Sequence, residues 1–344
     1  MIIYSVEYTL KSPLLISKPE VGNVIRNSYE YLPGSTIRGA MLKELLDRGI
    51  QHIKEESRNP TIIFHQAFPL DDNNRTYKPS HPFIYECKIC KSIKKVNPYD
   101  ICSYDDIKPQ LFCEKGHPYT LKSLGGKLLI ESNGKVLKYK PRYTILESVG
   151  INRITGSSEI NLLYSYVALE PYMRFKGLIV VNNDKIDLKN EFNNDSIFIG
   201  KGISRGFGEV NVRFEEINYD KKRDELYKLI NNKEQKVILK ALSPLFNITY
   251  NDNGLITTNV FNFENLKNFG SLKSTLTIST GSTKVSGFSL ISNTQKIELN
   301  ALKEGSLLYF TSSNIKNHID LLMDIELNGI GLFACSGFNI VEVI

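Results

Sequence analysis

The segment Ile199-Gly-Lys-Gly-Ile-Ser-Arg-Gly-Phe-Gly-Glu-Val210 places Gly200, Gly202, Gly206 and Gly208 within nine residues, with Lys201, Ser204 and Arg205 between them. Glycine at this density permits positive φ angles and close backbone approach, so amide N–H groups can face a phosphate chain while Lys201 and Arg205 add charge. A dinucleotide fingerprint or a P-loop opens directly into a helix. Here Val210, Val212 and Phe214 alternate with polar residues as a strand does, so neither nucleotide motif applies. The plain alternative is a tight turn between two strands. The C-terminus carries a weaker copy, GIGLFACSGFNIVEVI, in which Gly329, Gly331, Gly337 and Phe338 repeat the order of Gly200, Gly202, Gly206 and Phe207 with two extra residues in the middle.

The starts of the two halves correspond as well. Ile2, Tyr4, Val6, Tyr8 and Leu10 alternate as a half-buried strand and lead to Ser12-Pro13-Leu14-Leu15. Val237, Leu239 and Ala241 lead to Ser243-Pro244-Leu245-Phe246. Both halves run from a strand and a Ser-Pro-Leu turn to a loop ending in Gly-Phe, but the first is about a hundred residues longer, enough for an inserted subdomain. The 344 residues suit two cores, and 41% hydrophobic content with 18 Tyr and 17 Phe can fill them. A net charge of +6 is compatible with a polyanion partner without requiring one. With no secretory signal and no apolar run of membrane length, the expected setting is cytoplasmic.

Pro33-Gly34-Ser35-Thr36 precedes a helix in which Ser35 is the expected N-cap, Gly49 the residue after the C-cap, and Ile37, Met41, Leu42, Leu45 and Leu46 the core stripe. The amides at its start, with Ser35, Thr36 and Arg38, could hold a backbone phosphate. The insertion, about 62–140, holds Cys87-Lys-Ile-Cys90 and Cys113-Glu-Lys-Gly-His117. Two such knuckles supply four ligands for a closed tetrahedral site, which points to structural Zn2+ on Cys87, Cys90, Cys113 and His117, with Cys102 the alternative to His117. The region 148–182 reads as a hairpin and further strands, with Arg153 at a polar tip. A charged helical linker over 218–235 separates the domain 1–217 from the domain 236–344. Near the end, Ser313 is the expected cap of a helix burying Ile315, Ile319, Leu322 and Met323. This order predicts an α+β fold of two ferredoxin-like, or RRM-like, domains, whose open sheet faces are common RNA platforms.

Taken in order, SPLLIS, LPGSTIRGAM, INRITGSSEINLLYSYVALEPYMRFKG and GKGISRGFGEV resemble the RAMP superfamily, the repeat-associated proteins of CRISPR systems. STKVSGFSL, LKEGSLLYF and the degenerate GIGLFACSGF resemble the type III-D subunit that holds the 5′ handle of the guide RNA. The resemblance implies a non-catalytic crRNA-binding subunit with other effector subunits as partners. It implies that Gly200, Lys201, Gly202, Ser204, Arg205, Gly206 and Gly208 contact the crRNA backbone. Ser35, Thr36 and Arg38 would lie near the RNA path, and the tip around Arg153 would reach RNA or a neighbouring subunit. Related slicing subunits carry an aspartate shortly before their Leu-Pro-Gly-Ser helix. Between Ser17 and Tyr31 the acids here are only Glu20 and Glu30, so target cleavage is not implied. The second loop has Leu332, Phe333, Ala334 and Cys335 where the first has cations, and is expected to pack. Two other functions fit the residues: a crRNA-processing endoribonuclease using His65 or His81 as acid or base, and a purely architectural adaptor.

Overall fold

The structure, a computed structural model, describes the chain except residues 19–24, 51, 108–111, 133, 153, 184–185, 232, 234, 251–255, 260–271, 287, 290–293 and 296. It is a mixed α+β protein dominated by antiparallel pairing, divided into two compact units. The first comprises Met1–Thr76 with Lys140–Glu216, the second Tyr77–Tyr139 with Ile217–Ile344. The expected insertion therefore starts later than residue 62, since Ile62–Phe64 is a strand of the first sheet, and the segment Tyr77–Tyr139 groups with the C-terminal half.

In the first unit the sheet order is Asp195–Phe198, Glu209–Ile217, Ile2–Leu10, Arg174–Val181, Ile62–Phe64. The alternation of the first strand explains its central place. Tyr4, Val6, Tyr8 and Leu10 are all buried, and the strand runs antiparallel to Arg174–Val181 from Ile2 opposite Val181 to Thr9 opposite Arg174. The helix Gly34–Asp47 buries Ile37, Met41, Leu42 and Leu45, whereas Leu46 is 47% exposed and leaves the expected stripe. Its N-cap is Pro33, not Ser35, because proline's extended backbone already turns the chain into the helix and needs no side-chain cap. Gly49, at φ 80°, closes the other end: Ile50 donates to the Leu45 carbonyl and Gly49 to that of Leu46, bonds only a left-handed residue permits. A second sheet pairs Tyr143–Ile151 with Ser158–Leu169, flanked in parallel by Ile25–Asn27.

In the second unit the order is Lys273–Ile278, Leu307–Thr311, Lys236–Ala241, Val341–Val343. In both sheets the first strand of the repeat lies between its last strand and the strand that precedes the last helix. Burial of Val237, Leu239, Leu308 and Phe310, with Ile319, Leu322 and Met323 of the helix Ile319–Asn328, forms the core on one side. Asn314, not Ser313, caps the 3-10 turn Ile315–His318 that enters this helix. The linker is the helix Tyr219–Ile230, capped by the Asn218 side chain.

The other face of the second sheet is covered. Phe83 and Ile101 of the Cys/His segment join Ile238, Leu276, Ile278, Leu307 and Tyr309 in one buried cluster. Polar contacts fix the cover: Tyr309 donates to the Pro98 carbonyl at 3.1 Å and Tyr104 to that of Thr277 at 3.0 Å. Glu342 takes Lys240 at 2.9 Å and also Lys78. Gly305, at φ 83°, has no room for a side chain, since a Cβ would stand 2.0 Å from the Ser80 carbonyl.

Candidate nucleic-acid interface and candidate metal centre

The central loop is a short 3-10 turn, Ile203–Arg205, flanked by Gly202 and Gly206 in the left-handed region at φ 83° and 81°. Gly200 and Gly208, at φ 87° and 81°, complete the set. Each glycine answers a different demand. A Cβ on Gly200 would meet the Leu15 carbonyl at 2.5 Å, one on Gly208 the Ile199 carbonyl at 2.2 Å, and one on Gly202 the Phe207 ring at 2.6 Å. At Gly206 space is open and only the backbone angle requires glycine.

The glycines thus serve first to press the loop against its own chain. Lys201 donates its amide to Leu15 and Gly208 to Pro13, both at 2.9 Å, while Ile199 donates to Gly208, and Phe207 and Arg205 to Gly202. On its other side, Leu14 exchanges both backbone hydrogen bonds with Leu169. Residues 12–17 are therefore a splint between the loop and the hairpin strand Ser158–Leu169. Of the loop amides, those of Gly200, Gly202, Ile203 and Ser204 make no hydrogen bond among the described residues, the last two as the start of a 3-10 turn dictates. The side chains of Lys201, Ser204 and Arg205 are exposed in this loop.

Arg205 is braced. Its guanidinium lies 5.4 Å from the centroid of the Tyr166 ring and donates to the Tyr166 hydroxyl at 2.8 Å. Tyr166 in turn meets Phe207 edge to face at 6.4 Å, and Phe207 is buried with Leu15 and Ala168. Sequence reasoning missed Tyr166, although its place in the alternating YSYVAL run put it on one face of the hairpin.

The other nominated residues lie apart from this turn. Ser35 and Thr36 begin the helix Gly34–Asp47 and make no hydrogen bond to the loop among the described residues. Arg38 is turned inward, donating to the Glu56 carbonyl at 3.1 Å with the Glu56 carboxylate at 3.8 Å. Arg153 lies outside the described residues; beside it Ile154 is 95% exposed at a tip held by the Asn152 side chain. Among the described residues, neither of the two sheets built on Ile2–Leu10 and Lys236–Ala241 shows an open aromatic face. The second is covered, and the open face of the first carries Ser5, Glu7, Lys176, Arg213 and Glu215 instead of aromatics, around a cavity of about 190 Å3.

The C-terminal loop repeats the first without a gap. Each residue matches the one 131 positions later, from Ile199 with Ile330 to Val210 with Val341. Ile330 donates to Asn339 as Ile199 does to Gly208, Asn339 donates to Pro244 as Gly208 does to Pro13, and Phe338 to Phe333 as Phe207 to Gly202. The Ser243 hydroxyl accepts from Ile340 at 2.8 Å where the Ser12 hydroxyl accepts from Glu209 at 2.9 Å. The expected two extra residues are absent: Gly331 stands for Gly200, and Phe333 for Gly202. The expectation that this loop packs holds for Ala334, 6% exposed, and fails for Leu332 and Phe333, which are 60% and 42% exposed.

In the Tyr77–Tyr139 segment, Cys87, Cys90, Cys113 and His117 bring their ligand atoms within 4.8 Å of one another. Cys90 and Cys113 sulfurs lie 3.7 Å apart, and His117 Nδ1 lies 3.3 Å from Cys113 Sγ and 3.7 Å from Cys87 Sγ. Around one tetrahedral zinc with bonds of about 2.3 Å to sulfur and 2.0–2.1 Å to nitrogen, the corresponding edges are ~3.8 and ~3.6 Å. The four donors fit that ion. Burial opposes ionisation of Cys87, but the Thr120 hydroxyl and the amides of Cys90 and Ile89 outweigh it and bring the thiol down to about 5. The Ser92 hydroxyl and amide lower Cys90, and these two sulfurs raise His117. Cys102 is exposed beside Lys236 at 3.6 Å, outside the cluster.

No helix among the described residues is long and apolar enough to cross a membrane. No family model matches the chain, and no curated protein matches its sequence. Among solved structures, the chain is similar to one in a type III-B Cmr-beta complex bound to cognate target RNA, at 15% identity over 95% of this chain and 96% of that one, TM-score 0.48. It is also similar to a Cas6 product complex, at 9% identity over 100% of both chains, TM-score 0.40. A third likeness is to oligomeric Cmr4 from Pyrococcus furiosus, at 11% identity over 63% of this chain and 99% of that one, TM-score 0.29.

Proposed function

We propose that this chain is a non-catalytic, RAMP-type crRNA-binding subunit of a type III CRISPR ribonucleoprotein, built on two ferredoxin-like domains and holding the repeat-derived 5′ handle through its first Gly-rich loop. The observation that carries the reading is the loop itself: amides of Ile203 and Ser204, the exposed Lys201, and an Arg205 already oriented by Tyr166 lie within residues 201–205. That combination suits a phosphate backbone. The sequence resemblance supplies the class of RNA.

The non-catalytic part is supported by the histidines. His65 and His81, which an endoribonuclease would use, are 5% and 8% exposed. His81 accepts a hydrogen bond from the Phe83 amide, and burial with the nearby Lys240 charge pushes it down to about 4, so it is neutral and enclosed. Zinc on Cys87, Cys90, Cys113 and His117 has a structural role in this reading, since four protein ligands leave no position for water.

The test is to purify the protein from its native cells and sequence the short RNA it retains. Binding of that RNA by the Lys201→Ala, Arg205→Ala variant should weaken, and the salt slope should fall by about one unit per lost contact. Small RNAs with no common 5′ end, or an unchanged slope, would overturn the reading.

A further inference from the structure

Leu332 and Phe333 occupy the positions of Lys201 and Gly202 in a loop that repeats most of the first loop's backbone hydrogen bonds, yet they are exposed and apolar. Phe333 holds φ 71°, a conformation bulky residues avoid unless their surroundings impose it. The surroundings here do so. Asn339 accepts from the Phe246 amide at 2.8 Å and donates to the carbonyls of Phe246 and Leu332, and the buried Phe246 ring backs that of Phe333 at 5.9 Å. The backbone that carries both side chains, and the Phe333 ring on Phe246, are thus held before any partner arrives.

We propose that Leu332 and Phe333 form a protein-docking prong that inserts into an apolar recess of a neighbouring polypeptide. The inference rests on the chain being a subunit of a larger assembly, not on the first loop binding RNA. Charge decides the class of occupant. Ser336 replaces Arg205, Leu332 replaces Lys201, and no Lys or Arg follows Lys316, so this loop brings no counter-charge to a phosphate chain. Leu332, the more exposed of the pair, is aliphatic and gives a base no stacking face. An aromatic ring backed by a buried one, beside an exposed aliphatic side chain, is instead the make-up of an anchor at a protein interface, because the backed ring loses little freedom on docking.

The test places the photo-crosslinking residue p-benzoylphenylalanine at position 333 and, separately, at position 201, in the complex irradiated in native cells. Position 333 should form an adduct with one polypeptide and none with RNA. The Leu332→Ser, Phe333→Gly variant should then lose that same polypeptide at least tenfold from the purified complex while retaining its RNA. Phe333→Gly installs the residue the first loop has at this place and removes the strained angle, so a failure to fold is not the expected cause of the loss. An RNA adduct at position 333, no adduct there, or unchanged composition of the double variant's complex would each overturn the proposal. Absence of an RNA adduct at position 201 would instead count against the proposed function and leave the prong standing.

Discussion

Gly206 and Gly208 look alike in the sequence and differ in the structure, which gives a direct check on the loop. Gly206→Ala meets open space and should cost only the left-handed backbone term, about 1–2 kcal/mol of stability. Gly208→Ala drives a Cβ into the Ile199 carbonyl and should cost clearly more, read as the difference between the two variants in chemical denaturation. Tyr166→Phe removes one hydrogen bond from Arg205 and keeps the ring, so RNA affinity should fall about three- to tenfold. The same change should have no effect in an Arg205→Ala background, and a double-mutant cycle reads that coupling. The glycines were legible in the sequence because their spacing is local. Their reasons were not: Leu15 and Ile199 reach them only once the chain has folded, and nothing in the sequence tells a glycine packed on a carbonyl from one turned to a ligand.

At the level of elements, alternation marked the first strand, and the run from Ile37 to Leu45 marked the helix, since burial on one face imposes period two or 3.6 locally. The knuckle spacing of Cys87, Cys90, Cys113 and His117 was equally plain. What escaped was partnership: Phe83, Tyr99 and Ile101 are not periodic, and their contact with Ile238 and Tyr309 spans more than a hundred residues. Chelation with EDTA should therefore loosen this segment first. The expected result is increased binding of the dye ANS as the face bearing Ile238, Leu276 and Tyr309 is uncovered, reversed by added zinc; unchanged dye binding would deny the metal its role as fastener. His81 sits in the same cover with its value depressed to about 4. A folded value below the ordinary 6.5 means stability is full above 6.5 and is lost as pH falls toward 4, by about 3 kcal/mol. His81→Asn keeps an acceptor for the Phe83 amide and should flatten the fall in melting temperature across that window.

For the molecule as a whole, the two units each join distant stretches of chain, and ion pairs help close the second. Glu342 is 15% exposed; burial disfavours its charge, but Lys240 and Lys78 prevail and hold the carboxyl at about 2. Its contribution is complete above the ordinary 4.5 and is lost as pH falls from there toward 2. Glu342→Gln leaves two lysines short of their carboxylate and should destabilise the protein by about 3 kcal/mol at neutral pH, measured by urea unfolding. The matched bonding of Ser12 with Glu209 and of Ser243 with Ile340 has a further consequence. Each half owns the same socket of serine hydroxyl and proline carbonyl, and the side chains of Lys201 and Leu332 take no part in those two bonds. The plug can exchange what it carries outward, cationic in one loop and oily in the other, while the socket stays as it was, so either loop can change its outward face without relearning how to close.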